Sequence, residues 1–325
     1  MNSPSPELEK LAAAIDRDPG DSDAWQAYGE ALSAAGDVRG DLIALELAGG
    51  SKRCRQIQMA NEEEWLGPRI SEWIAEYPED LDFVWRYGFV REARVKVWDR
   101  SLPFPAFLGS SAARFVERLT FSGGSSFQLA WRQLAKRQRP TLRHVSVEGR
   151  ERRYRVDRVL TVAPNLQSLI ISGDDCSMNM AQHFALNSFS IAADHFEGLL
   201  PPLLESDFPR LERLHLRFRE EYSSDALMPL LQEPTFPSLR RLEMTFCFFA
   251  NKLLAALSQS PLLRQLRVLD LSHGQLTAGG AKTLLEHAGA FAHLDSLKLD
   301  RNLIDTDSAA RIREALPQAS VDDQR

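Results

Sequence analysis

The chain has 325 residues, enough for two compact domains or one elongated array. Hydrophobic residues make up 44% and charged residues 26%, which excludes wholesale disorder. The net charge of −6 argues against a general nucleic-acid binder, which carries a positive excess.

The opening "MNSPSPELEK" lacks a basic start followed by an apolar core, so no secretory signal is expected. No apolar run reaches the ~18 residues of a membrane span. Cys54, Cys176 and Cys247 are too few and too scattered for a disulfide framework or a thiolate metal site. A cytoplasmic, reducing location is therefore expected.

The first ninety residues read as helices. "SPELEKLAAAIDRDP" starts with Ser5 as cap and Pro6 at the first helical position. "DSDAWQAYGEALSAAG" is a second helix, capped by Ser22 or Asp23 and ended by Gly36. "RGDLIALELA" is a third, with Gly40 serving the connection and Asp41 the cap. "NEEEWLGPRISEWIAEY" holds a fourth, broken at Gly67-Pro68. "LDFVWRYGFVREARVKVWD" then carries the first candidate strand. The "RGD" at 39–41 is read as helix chemistry rather than an adhesion motif.

From residue 90 onward one spacing recurs: an aliphatic, two free positions, an aliphatic, one free position, an aliphatic. Its copies are Val90-Ala93-Val95, Val116-Leu119-Phe121, Leu142-Val145-Val147, Leu166-Leu169-Ile171, Leu186-Phe189-Ile191, Leu211-Leu214-Leu216, Leu239-Leu242-Met244, Leu266-Leu269-Leu271 and Leu294-Leu297-Leu299. First positions lie 26, 26, 24, 20, 25, 28, 27 and 28 residues apart. The last two aliphatics of each copy are two apart and share one face of a short strand. One such unit buries about 5–8 kcal/mol of aliphatic side chain, less than the cost of ordering some ~25 residues, so neighbours must stack. The 28-residue intervals leave room for outer helices, with Thr277 and Asp305 or Thr306 as caps. The 20-residue interval near Cys176 calls for a tighter return.

Residues 239–316 resemble leucine-rich repeats of the ribonuclease-inhibitor subtype, on "LRVLDLSHGQLTAGGAKTLL" and "LDSLKLDRNLIDTDSAARIREAL". The resemblance implies an Asn or Cys three positions after the third aliphatic, bonding backbone in the turn. Asn302 and Cys247 match, and Gly274 does not. Residues 7–97 resemble a bacterial repeat-companion domain, which precedes repeat arrays, on "LAAAIDRDPGDSDAWQAYGEALSAAGDVRGDLIALEL", "EEEWLGP" and "WRYGFVREARV". "AWQAYGEALSAAGD" also resembles a tetratricopeptide helix pair, but in a single copy. The expected fold is α/β: a leucine-rich-repeat solenoid, a curved parallel sheet with outer helices or irregular returns, behind an N-terminal helical cap. The expected divisions are a cap over 1–88, eight to nine repeats over 89–317 and a polar tail over 318–325. Leu42, Ile43, Leu45, Trp65, Leu66, Trp73, Ile74 and Trp85 are suited to covering the first repeat, with Trp65 and Trp85 read as core.

Phosphate-loop, dinucleotide, zinc-protease and nucleophile-elbow motifs do not occur in the sequence. The seven histidines have no metal-ligand spacing, and no cofactor is implied. "SGGSS" at 122–126 reads as a loop. The informative residues lie between the aliphatics, on the concave side. Arg213, His215, Arg217, Phe218, Arg241, Glu243, Phe246, Asp270, His273 and Lys298 are the partner-binding candidates, because aromatics and Arg dominate interface hot spots. A non-catalytic scaffold binding a protein or peptide is the leading expectation. An inhibitor or immunity-type binder is a special case of it. Activity in the N-terminal domain, through Asp37, Asp41 or Glu46 beside Arg39, is one alternative. Nucleic-acid binding through the basic stretch 132–158 is another.

Overall fold

The computed structural model describes residues 5–97, 104–123, 127–149, 154–174, 176–219, 224–232 and 235–325. Two compact units result: Met1–Gly149 with Thr161–Leu166, and Arg150–Leu160 with Gln167–Arg325.

The first unit opens with five helices: α1 (Pro6–Arg17), α2 (Ser22–Ala34), α3 (Arg39–Leu47), α4 (Ser51–Leu66) and α5 (Pro68–Glu76). Ser5 caps α1 as expected, its Oγ accepting from the Leu8 amide at 3.2 Å. The α2 cap is Asp21, whose carboxylate accepts from the Asp23 and Ala24 amides at 2.9 and 3.1 Å, and not Ser22 or Asp23. The break between α4 and α5 falls at Gly67, where φ is 85°. Gly40 is needed for close approach: a Cβ there would collide with the Gly29 carbonyl and with Ser33 on α2. Asp41 does not cap α3. The cap position is Val38, and Asp37 before it accepts from the Arg39 amide at 2.9 Å.

What read as one candidate strand is a hairpin, β1 (Leu81–Arg86) and β2 (Phe89–Val97), paired antiparallel. Tyr87 and Gly88 turn the chain with φ of 57° and 75°, the left-handed pair a tight hairpin demands. Trp25, Tyr28, Ile43, Tyr87, Phe89 and Phe115 share one core, so helices and hairpin are welded together. Trp65 is buried with its ring centroid 6.1 Å from that of half-buried Trp85. After β2 come β3 (Arg118–Gly123) and β4 (His144–Gly149), each parallel to the strand before it. Of "SGGSS", residues 124–126 lie outside the described residues.

The second unit repeats one turn of chain. Its main strands are β6 (Ser168–Ser172), β8 (Ser188–Ala193), β9 (Arg213–Phe218), β10 (Arg241–Thr245), β11 (Val268–Asp270), β12 (Ser296–Lys298) and β13 (Ala319–Ser320). They are parallel and lie side by side in chain order. A two-residue pair, β5 (Tyr154–Arg155) with β7 (Cys176–Ser177), forms the tight return near Cys176. No residue of the nine aliphatic triplets is more than 5% exposed. This is the leucine-rich-repeat solenoid that the spacing requires. In register, Leu214 faces Leu242 and Leu242 faces Leu269, so each aliphatic stacks on its equivalent one repeat away.

Residues 318–325 are not a polar tail. Ala319 and Ser320 add a strand to β12, and Val321 is buried, giving the last repeat a neighbour. The outer helices start as expected at Asp305, which accepts from the Ser308 amide at 2.8 Å. Thr277 precedes Ala278–Glu286 but is itself held by Asn251, which donates to its hydroxyl at 2.9 Å and accepts from its amide at 3.1 Å.

Asn302 is fully buried. Its amide nitrogen donates to the Leu271 and Leu299 carbonyls, both at 2.9 Å, and its oxygen accepts from the Leu276 amide at 2.9 Å. One side chain thus stitches two consecutive repeats, serving backbone groups of both in the turn after the strands.

Candidate functional site

Along β9 the side chains alternate. Leu214, Leu216 and Phe218 are buried, Arg213 and Arg217 are exposed, and His215 is half-buried between them. The same alternation on β10 turns Arg241, Glu243 and Thr245 to the open face. Register places Arg213 beside Arg241, His215 beside Glu243, and Arg217 beside Thr245. Glu243 in turn lies beside Asp270, and Asp270 beside Lys298. Nine of the ten candidates therefore share one continuous sheet face or, for Phe246 and His273, its edge.

Phe218 is the exception. It is 1% exposed and packs its ring against Phe196 and Phe249, at centroid distances of 5.0 and 5.3 Å. The reason is arithmetic: Phe218 has the parity of Leu214 and Leu216, and β9 runs on through it. Phe246 has the parity of Met244, but β10 has ended at Thr245. Phe246 enters the left-handed region at φ 59° and its ring swings out. Cys247 takes the interior position instead.

At this edge an aromatic and cationic stack forms. The Arg217 guanidinium lies 4.5 Å above the Phe246 ring, and Phe246 stacks on His273 at 4.8 Å and 16°. His273 and Arg301 repeat the left-handed conformation, at φ 60° and 56°. These three successive repeats thus present one side chain outward from the same point of the turn. His273 is held below its usual range by burial, with Arg301, Arg325 and Arg217 adding to the effect and Asp270 opposing it.

The middle of the face is a hydrogen-bonded row. His215 Nδ1 meets Ser190 Oγ at 3.1 Å and its Nε2 meets Thr245 Oγ1 at 2.9 Å. Glu243 lies 3.9 Å from Nδ1, beyond a hydrogen bond. Burial lowers the His215 pKa, against the pull of Glu243 and Asp270, so the neutral ring is favoured. A hydroxyl beside a neutral imidazole invites comparison with a nucleophile and its base. Here two hydroxyls from two different strands flank the ring, and the carboxylate does not orient it. The row ties β8, β9 and β10 together.

Charges on the face are unevenly matched. Glu243 is met by Arg241 at 3.4 Å, and Asp270 by Lys298 at 3.8 Å and by the Ser272 amide at 2.9 Å. Arg213 and Arg217 are exposed and have no carboxylate partner among the described residues.

Several residues of the alternative sites carry structural contacts. Arg39 is buried between the rings of Trp65 and Phe89, at 4.9 and 4.8 Å, and pairs with Asp37 at 3.4 Å. Asp41 accepts from the Ser33 hydroxyl at 3.3 Å. Glu46 accepts from the Tyr87 amide at 2.9 Å, fastening the hairpin turn. Burial raises its carboxyl, partly offset by that bond and by Arg86. In the basic stretch, Arg143 donates to the Asp16 and Arg17 carbonyls at 3.2 Å, and Arg155 pairs with Asp157 at 2.9 Å. Arg139 donates to the Leu108 carbonyl, and burial lowers its pKa to about 10. Residues 150–153 of the stretch lie outside the described residues. Among the described residues no three His, Cys, Asp or Glu side chains are grouped to hold a metal ion, and no helix is long and apolar enough to cross a membrane.

No family model matches the chain, and no curated protein matches it in sequence. Among solved structures, a Bacteroides fragilis protein from a structural genomics effort superimposes with a TM-score of 0.56 at 20% identity, over 70% of this chain and 68% of that one. This likeness is one of fold. Human 5T4 (Wnt-activated inhibitory factor 1, trophoblast glycoprotein) reaches 0.37 at 20% identity, over 72% of this chain and 77% of its own. An internalin, inlF, from Listeria monocytogenes reaches 0.35 at 16% identity, over 67% and 69%.

Proposed function

We propose that the protein is a non-catalytic recognition scaffold that docks a protein or peptide on the open face of β9–β12. The observation that carries this reading is the pair of exposed arginines, Arg213 and Arg217, without a carboxylate partner among the described residues, beside the outward Phe246–His273 stack. Solvent-facing cations with no carboxylate partner among the described residues can serve a partner, and the sheet beneath them is fixed by register, so little ordering is lost on binding. Inhibition of an enzyme is one form such docking takes. The repeat-companion resemblance fits the same picture, with residues 1–88 acting as the cap and 89–317 as the array. A reducing, cytoplasmic location is part of the proposal, and the burial of all three cysteines outside any disulfide supports it.

The test is affinity capture from the native cell with wild type, Arg217→Ala/Phe246→Gly and Arg311→Ala. Glycine at 246 keeps the left-handed backbone while removing the ring. Arg311 is exposed on an outer helix. Loss of partners with the double variant alone is expected. Partners retained at full yield by the double variant would refute the site.

A further inference from the structure

We infer that the partner is acidic: it presents two carboxylates about 13 Å apart to Arg213 and Arg217. This rests on the docking reading above and names the chemistry of what docks.

The spacing follows from the strand. Arg213 and Arg217 are four residues apart on β9, and a strand advances ~3.3 Å per residue, giving about 13 Å between their backbone origins. Between them on the same face lie His215, neutral by burial, and the neighbouring Glu243. Glu243 is already matched by Arg241, as Asp270 is by Lys298. Among the described residues the two end arginines are therefore the surplus charge of this face, and the centre is balanced.

The Arg217 head group is also prepared for a carboxylate. Its guanidinium carbon lies over the Phe246 ring, 4.5 Å from the centroid. That contact holds the head group in place without taking its N–H donors to a carboxylate, so they can meet one in a forked pair. Arg213 stands beside Arg241 in register. Like charges directly opposite on neighbouring strands cost stability, so an anion bound at that end relieves a strain the free protein carries.

The choice of protein carboxylates over a nucleic acid also comes from the charge layout. A phosphate backbone carries negative charge continuously and would pass Glu243 and Asp270 on its way between the arginines. A pair of separated carboxylates skips them. The chain as a whole carries −6, which opposes a long polyanion and leaves a local patch selective for a short acidic segment.

A random dodecapeptide display library panned on the full-length protein tests this. Three proteins are used in parallel: wild type, Arg213→Glu/Arg217→Glu, and Arg264→Glu/Arg311→Glu as a charge-matched control at two exposed helical arginines. Circular dichroism melting verifies that each is folded. Wild type and the control are expected to select peptides enriched in Asp and Glu, with acid pairs separated by three residues. Those peptides, measured by fluorescence anisotropy, are expected to bind the double reversal about tenfold more weakly, and binding to wild type should weaken as salt is raised. Binders without acidic enrichment, acidic binders that the double reversal retains, or no binders at all would overturn the inference. So would a twelve-nucleotide oligothymidine that binds as tightly as the selected peptides. A wild-type dimer that the double reversal abolishes in sedimentation velocity would assign the face to a second copy instead. If the acid preference fails while capture still depends on Arg217 and Phe246, the recognition reading stands and this one falls.

Discussion

Replacing Asn302 by Ala removes the stitch between the last two leucine-containing turns. Asn302 is fully buried and makes three bonds of 2.9 Å to backbone, on the Leu276 amide and the Leu271 and Leu299 carbonyls. The Leu299 carbonyl keeps a second donor, Gln324, at 3.0 Å. The Leu276 amide and the Leu271 carbonyl lose the Asn302 side chain that satisfies them. Each buried group left unpaired costs about 1–3 kcal/mol, so the expected loss is about 3–4 kcal/mol. Because repeats unfold with their nearest neighbours, that loss is expected first in the C-terminal repeats, as an early step in urea unfolding followed by circular dichroism. Hydrogen exchange at the Leu276 amide reads the same event locally. Asn302→Asp keeps the acceptor for Leu276 but points a buried carboxylate at two carbonyls, so it is expected to cost more than Ala. A loss under about 1 kcal/mol, with Leu276 still protected, would refute the assignment of Asn302 as the stitch.

Three further outcomes are expected. Gly40→Ala forces apart α2 and α3, and urea unfolding should show a loss of about 2 kcal/mol or more; a neutral result would mean the helices are not in contact there. Burial holds His215 below its ordinary range, whereas the unfolded chain takes up this proton near ~6.5. Acidification through that value favours the unfolded state, so His215→Gln should shrink the drop in urea midpoint between pH 7.5 and 5.5, and an unchanged drop would contradict the burial. The Cys247 thiol, pushed up to about 12 by burial, should resist a thiol-disulfide reagent at pH 8 until urea is added; rapid labelling of Cys247 in the native protein would place it at the surface.

The repeat architecture was legible because one stacking rule is written nine times, and a leucine that must face its equivalent one turn away leaves a fixed interval behind. The helix caps were partly legible: Ser5 and Asp305 are the first polar residues before their helices, whereas Asp21 won over Ser22 and Asp23 through local backbone geometry. The hairpin at Tyr87-Gly88 was hidden because β1 and β2 together read as one alternating run, and only the left-handed turn divides them. At the candidate site, period-two parity already separates Phe218 from Arg213 and Arg217. The outward turn of Phe246 depends on a backbone angle that no side-chain pattern encodes. Glu243 is matched by Arg241 two residues before it, but the matching of Asp270 by Lys298, 28 residues on, becomes visible only once register is known.

The most direct test is to place single cysteines at 213, 214, 215, 216, 217 and 218 in turn and measure maleimide labelling of the folded protein. The native cysteines are all buried and contribute little background. Fast labelling at 213 and 217, slower labelling at 215 and protection at 214, 216 and 218 is the expected result. Uniform labelling, or protection of the odd-numbered set, would mean that β9 does not separate a stacked interior from a docking face.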